Sequence, residues 1–285
     1  MCRLFGFRSV IQSQVHQSLV EADNALAVQS QKHPDGWGVA YYVADAPHVV
    51  KGVFPAVEDH IFRRVSGVVA SQTVLAHIRK ATVGEVNTLN SHPFQHGSWV
   101  FAHNGQVEGF AEVKEELQQH ITPTLRRYIL GDTDSETLFY LFLSHLSRLT
   151  DMHRRGAQSE TVALALSRMV RQVRSIADRR PDQERSKLTF VVTDGHTMVG
   201  LRSGTTLMFS TYKRRCSDRD FCPYLAAECE APTETGFVNH LLISSEPLQG
   251  QNVWLEVGDE HLVGVDWRMR LFRGSIDGVI ADGGM

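Results

Sequence analysis

The order of strand-like and helix-like runs predicts an α+β protein built in layers, with mostly antiparallel sheets between helices. Short runs rich in β-branched and aromatic residues come first, at 36–43 (GWGVAYYV), 74–79 (VLAHIR) and 99–104 (WVFAHN), each bounded by turn residues. A pair of helical runs follows, and strand-like runs then return. Strands, a helical pair and strands again do not form the regular βαβ alternation of a parallel sheet.

The first helical run starts at Thr133, Asp134 and Ser135, which offer capping side chains, and stays apolar nearly all round to Leu149. That pattern predicts a buried helix. The second spans about 160–178. Val162, Leu166, Met169, Val170, Val173 and Ile176 line one side, and Arg168, Arg171 and Arg174 lie largely off that stripe. The later strands are expected at 188–193, 197–202, 206–211, 238–245, 253–257 and 262–266. Residues 213–236 are charged, hold three cysteines and show no period. With no repeat and no Pro- or Gly-rich linker, the reading is one domain over 2–285 with an irregular insertion at 213–236.

The chain has 285 residues, 42% hydrophobic and 21% charged, with a formal net charge of −3, which excludes disordered and fibrous classes. The slight negative charge removes the electrostatic footprint of a nucleic-acid binder. Four cysteines are too few for a disulfide scaffold and point to a reducing compartment. No apolar run reaches the roughly 20 residues of a membrane helix. The opening MCRLFGFRSVIQSQ lacks the apolar core of a signal peptide, so the expected location is cytoplasmic.

Chemistry concentrates at a few places. Cys2, once Met1 is removed, carries both a thiol and a free α-amino group. An α-amine with an unperturbed pKa near 7.7–8.0 is partly neutral at pH 7, so one residue holds a nucleophile and its base. The run 76–82 (AHIRKAT) ends a strand with a cation and then a hydroxyl, and Arg79 offers a planar fork suited to a carboxylate. His103-Asn104-Gly105 ends another strand. An Asn amide beside a Gly N–H makes a workable oxyanion hole, and the same dipeptide is a strong hairpin turn. Asp134 is suited to capping its helix or to receiving an ammonium group. His33, His77, His92 and His103 lack HxH or HExxH spacing. Cys216, Cys222 and Cys229 are spaced C-x5-C-x6-C, outside the usual zinc patterns. No metal site is expected.

In order and spacing these pieces resemble one family. CRLFG at 2–6, HPDGWG at 33–38, AHIRKAT, NSHPF at 90–94, AHNGQV at 102–107 and GDTDSE at 131–136 are similar to the class II glutamine amidotransferases, which are N-terminal-nucleophile hydrolases. SSEPL at 244–248 adds a likeness to the stand-alone, γ-glutamyl amidohydrolase branch. The motifs cover residues 2–136 densely and the rest sparsely. The resemblance implies a four-layer αββα sandwich. It implies Cys2 as nucleophile, Asn104 and the Gly105 N–H as oxyanion hole, and Arg79 and Asp134 as grips for the α-carboxylate and α-ammonium. His77 and Thr82 match positions that shape the glutamine pocket. The sequence departs from synthase-linked members at Lys80, where those enzymes often carry Trp. No cofactor is implied. The substrate class is glutamine or a γ-glutamyl compound, with no nucleic-acid or membrane partner. After residue 136 no room remains for a synthase domain, so three readings stay open: a free-standing amidohydrolase, a glutaminase subunit serving a separate ammonia-accepting synthase, and an inactive binding homologue.

Overall fold

In the computed structural model, which describes residues 2–179 and 183–283, thirteen strands form two antiparallel sheets. The strands are β1 (Arg3–Gln14), β2 (Trp37–Val43), β3 (Ala46–Gly52), β4 (Ala70–Ile78), β5 (Phe94–His96), β6 (Trp99–Gln106), β7 (Lys187–Thr193), β8 (Met198–Arg202), β9 (Met208–Ser210), β10 (His240–Ser244), β11 (Leu255–Glu256), β12 (His261–Val265) and β13 (Leu271–Ser275). One sheet has the order β11-β9-β10-β1-β4-β2-β3, the other β13-β12-β8-β7-β6-β5. The helices are α1 (Leu26–Gln29), α2 (His60–Val68), α3 (Phe110–Gln119), α4 (Pro123–Arg126), α5 (Asp134–Leu146), α6 (Ser159–Ala177) and α7 (Ile276–Asp282).

Three apolar clusters glue four layers. Leu4, Leu75, Val100, Val191, Met198 and Ile243 fill the space between the sheets. Phe5, Phe7, Val39, Val74 and Ile78 carry α1 and α2 on the outer face of the seven-stranded sheet through Leu26 and Phe62. Phe101, Phe190, Val192 and Leu201 carry α5 and α6 on the outer face of the other. The α5 run is apolar all round because it is enclosed: Leu138, Phe139, Leu141, Phe142 and Leu143 are all fully buried. The α+β, αββα reading therefore holds.

Several elements differ from the sequence reading. β1 is hidden by Arg3 and Arg8. Arg8 is buried all the same, because its Nε donates to the His196 carbonyl at 2.9 Å and its Nη1 to the Ser9 carbonyl. α2 and α3 are short amphipathic covers that no run of 3.6-period length announces. The strand expected at 253–257 shrinks to the two residues of β11. Residues 213–236 hold one short 3-10 turn, Ala227–Cys229, and no strand.

Candidate active site

Strand ends place the chemistry. Cys2 precedes β1, and the β1 register pairs Arg3 with Ile78, so Cys2 meets the chain just past β4. Its Sγ accepts from the Lys80 N–H at 3.3 Å and lies 3.4 Å from the Lys80 carbonyl oxygen, within reach of its S–H. Burial pushes the Cys2 thiol pKa up; the Lys80 N–H and the nearby Arg79 charge oppose that rise, and Asp134 adds to it.

Arg79 is almost fully buried, yet it is not idle. Its Nη1 donates to the Glu85 carbonyl at 2.9 Å and its Nη2 to the Val83 carbonyl at 3.1 Å. The guanidinium thus ties down the 83–85 loop while standing in the field of Cys2, Asp35 and Asp134. HPDGWG explains itself here: the Asp35 carboxylate accepts from the Ala81 N–H at 2.8 Å and fixes the chain after β4. NSHPF does the same for the neighbouring loops. Asn90 donates to the Glu85 carbonyl at 3.0 Å and accepts from the Asp132 N–H at 2.9 Å.

Asp134 is the first residue of α5. Capping is left to Thr133, whose hydroxyl accepts from the Glu136 N–H at 3.2 Å. The Asp134 carboxylate is aimed instead at the strand end. Oδ2 accepts from the Val107 N–H at 2.7 Å, and Oδ1 from the Ser135 N–H at 2.7 Å. The Ser135 hydroxyl lies 3.1 Å from Oδ1 and 2.9 Å from His103 Nδ1, and the far nitrogen of that ring meets the Lys187 carbonyl at 2.9 Å. Ser135 and His103 were not singled out from sequence as an Asp134 support; the GDTDSE and AHNGQV motifs were their only signal.

Asn104 is buried at the end of β6. Its Nδ2 donates to Ser245 Oγ at 3.3 Å, and its Oδ1 has no partner among the described residues. Ser245 Oγ also accepts from the Leu4 N–H at 2.9 Å, so the turn after β10 is laced to the start of β1. Gly105 has a packing reason to be glycine: a Cβ there would sit 1.8 Å from the Lys187 carbonyl oxygen. Thr82 lines a cavity of about 400 Å³ together with Val83, Val107 and Asp132. His77 is fully buried between the sheets, its ring 4.1 Å from that of His92, and burial pushes its pKa down to about 3. It sits beneath the site and does not face an opening.

The structure thus gathers Cys2, Arg79, Asn104 and Asp134 at one end of the sandwich. Residues 213–236 lie elsewhere. Cys216, Cys222 and Cys229 line a cavity of about 600 Å³ with Ser9 and Gln14 of β1. The same cavity is lined along β1 from Phe5 and Phe7 to Gln14. Ser245, just after β10, is laced instead to Leu4 and Asn104 near the head of β1. Among the described residues no group of three His, Cys, Asp or Glu is arranged to hold a metal, and no helix is long and apolar enough to cross a membrane.

An antiparallel αββα sandwich with a cysteine heading a central strand defines an N-terminal-nucleophile hydrolase type of fold. The chain belongs to the class II glutamine amidotransferases, whose family model matches residues 1–265. It is similar to "Probable glutamine amidotransferase DUG3" of Saccharomyces cerevisiae, 32% identical over 70% of this chain and 62% of that one. It is also similar to the gamma-glutamyl-hercynylcysteine sulfoxide hydrolase of Mycobacterium tuberculosis, 34% identical over 38% of this chain and 50% of that one. The chain spans less than two thirds of either relative's length. The fold is shared with a class II glutamine aminotransferase domain protein from Silicibacter pomeroyi, at a TM-score of 0.63 and 22% identity over 96% of this chain and 98% of that one.

Proposed function

We propose that the chain is an amidohydrolase that cleaves the γ-glutamyl amide bond of glutamine or of a γ-glutamyl compound through a Cys2 thioester. The observation that carries this is the convergence of Cys2, Arg79, Asn104 and Asp134 on one end of the sandwich from four separate elements. Met1 lies outside the described residues; the reading requires its removal, which frees the Cys2 α-amine as general base.

The Cys2 sulfur attacks the δ-carbonyl and its proton passes to the α-amine. The carbonyl oxygen takes up negative charge, met by the Asn104 amide and the Gly105 N–H. Collapse breaks the C–N bond, the α-amine returns the proton to the leaving nitrogen, and a γ-glutamyl thioester remains. Water, deprotonated by the same amine, hydrolyses it to glutamate and regenerates the thiol. Arg79 and Asp134 hold the α-carboxylate and α-ammonium throughout, with His77 and Thr82 shaping the pocket. We take 2–285 as a single domain in which 213–236 is an insertion.

The test is glutamate release from glutamine and from a panel of γ-glutamyl amines and peptides, with the N-terminal mass measured on the same sample. Release from at least one compound, with Met1 absent, is the expected result. If activity rises sharply only on adding a second protein, the chain is an ammonia-donating subunit instead; no release at all, with Met1 absent, leaves the inactive homologue.

A further inference from the structure

His103 is carried by β6, and side chains alternate along a strand. Val100 and Ala102 fill the space between the sheets, while Phe101 packs on Phe139 of α5, so His103 shares the α5 side. Its ring leans on Phe190 at 4.8 Å between centroids, and both ring nitrogens are engaged. Nε2 meets the Lys187 carbonyl at 2.9 Å. A carbonyl oxygen only accepts, so Nε2 carries a hydrogen. Gly105 makes room for this contact: a Cβ there would stand 2.8 Å from Nε2. Burial pushes the His103 pKa down, against the opposing pull of Asp134 and the Lys187 carbonyl, which favours the neutral ring. A neutral imidazole has one N–H, so Nδ1 is a bare acceptor.

The atom that faces Nδ1, at 2.9 Å, is Ser135 Oγ. The same oxygen lies 3.1 Å from Asp134 Oδ1. A carboxylate also only accepts, so two acceptors flank a hydroxyl that has a single hydrogen. Nδ1 is the nearer and has no other donor among the described residues, whereas Oδ1 already accepts the Ser135 N–H at 2.7 Å. A buried acceptor without a donor is costly, so the hydrogen goes to His103. We propose that His103 is a positioning residue: by accepting the Ser135 hydroxyl hydrogen it keeps Asp134 Oδ1 open for the substrate's α-ammonium. The proposal rests on the amidohydrolase reading, in which Asp134 receives that group. A side chain unable to accept at this place releases the hydroxyl to Asp134, where it occupies the lone pair that the ammonium needs.

The test pairs glutamine with glutaramic acid, the same molecule without the α-amine, or the best γ-glutamyl compound of the panel with its glutaryl counterpart. The ratio of the two kcat/KM values reads the ammonium contact and is independent of the fraction of active enzyme. Wild type is expected to favour the amine-bearing compound by about 10- to 100-fold. His103→Phe keeps a ring against Phe190 but cannot accept, and it should shrink the ratio by about 3- to 10-fold, the range of one hydrogen bond. Adding Ser135→Ala to His103→Phe removes the competing hydroxyl and should restore the ratio to within about twofold of wild type. A ring that only packs predicts a double variant no better than the single one, and that result overturns the proposal. Imidazole nitrogen NMR of the wild-type protein gives a second reading that does not depend on the Phe variant folding. The His103 signals, assigned by their loss in His103→Gln, should show a neutral ring with its hydrogen on Nε2; a hydrogen on Nδ1 overturns the proposal. A wild-type ratio near one also overturns it and leaves the amidohydrolase reading standing. Hydrolysis of no γ-glutamyl compound overturns both.

Discussion

The two ends of β1 carry thiols in opposite settings. At the head, Cys2 sits against a backbone N–H, beside a buried guanidinium, with the Asn104 amide at the end of the facing sheet's β6. At the tail, Ser9 and Gln14 floor a cavity of about 600 Å³ shared with Cys216, Cys222 and Cys229. Cys229 accepts from Asn239 Nδ2 at 3.0 Å, and the cavity also holds His240, whose Nε2 has no partner among the described residues. Both ends have cysteines and buried imidazoles. At the head the Arg79 guanidinium and the Asp134 carboxylate act on the Cys2 sulfur beside the Lys80 N–H; at the tail Lys213 and Asp218 share the cavity with the cysteines. Cysteine reactivity follows that electrostatic setting and accessibility, and burial alone makes a thiol inert.

The largest effect separates the two ends directly. Cys2→Ala should lower glutamate release by at least about 10⁴-fold, as loss of a covalent nucleophile does elsewhere. Cys222→Ala should leave kcat/KM within about twofold. Equal losses in the two variants, measured on the same substrate, would erase the distinction. Next in size is Asn104→Ala, expected to cost about 10²- to 10³-fold in kcat as an oxyanion donor is lost. A change confined to KM would mean that the amide serves only to hold Ser245.

Arg79→Lys and Asp134→Asn should each cost about 10- to 100-fold in kcat/KM. The structure sharpens the Arg79 case. Lys cannot reproduce the fork that holds the Val83 and Glu85 carbonyls, so the variant should also loosen the 83–85 loop. Faster amide hydrogen exchange in that loop is therefore expected in Arg79→Lys and not in Asp134→Asn.

The head of β1 was far more legible in the sequence than the tail. Cys2, Arg79, Asn104 and Asp134 stand in short motifs beside turn residues, where a strand end shows. What stayed hidden were the supports. Ser135 and His103 act on Asp134 through a hydroxyl and a ring whose relative placement only the α5–β6 packing decides. Arg79's grip on the 83–85 loop is made to backbone carbonyls, which carry no sequence signal. Residues 213–236 have no period to place them. Pairing of β10 with β1 carries the flanking chain past the far half of β1 instead. β1 itself was missed because Arg3 and Arg8 interrupt its apolar pattern, although Leu4, Phe5 and Phe7 are buried on alternate faces.

The smallest expected effect concerns the histidines at the two ends. Burial holds His33 near the head and His240 near the tail neutral, with the pKa of each pushed down to about 4; Arg3 and Lys80 add to the effect at His33, and Lys213 at His240. An unfolded histidine titrates near 6.5. Between these values the unfolded chain binds the extra proton and the folded chain does not. The neutral imidazole's contribution to stability is therefore complete above about pH 6.5 and is lost as pH falls toward 4. The slope is about 1.4 kcal/mol per pH unit for each such histidine. His240→Gln should flatten the acid limb of unfolding free energy by about that amount, with no change in kcat/KM, because nothing at the tail touches the substrate. His33→Gln should flatten the same limb to a similar degree, and its difference from wild type should shrink at high salt as the fields of Arg3 and Lys80 are screened. Urea unfolding at pH steps from 7.5 to 4.5 measures both. A wild-type slope retained in full by His240→Gln would mean that its ring is already protonated in the fold, and the cavity at the tail of β1 would then hold a charge that the head's chemistry does not share.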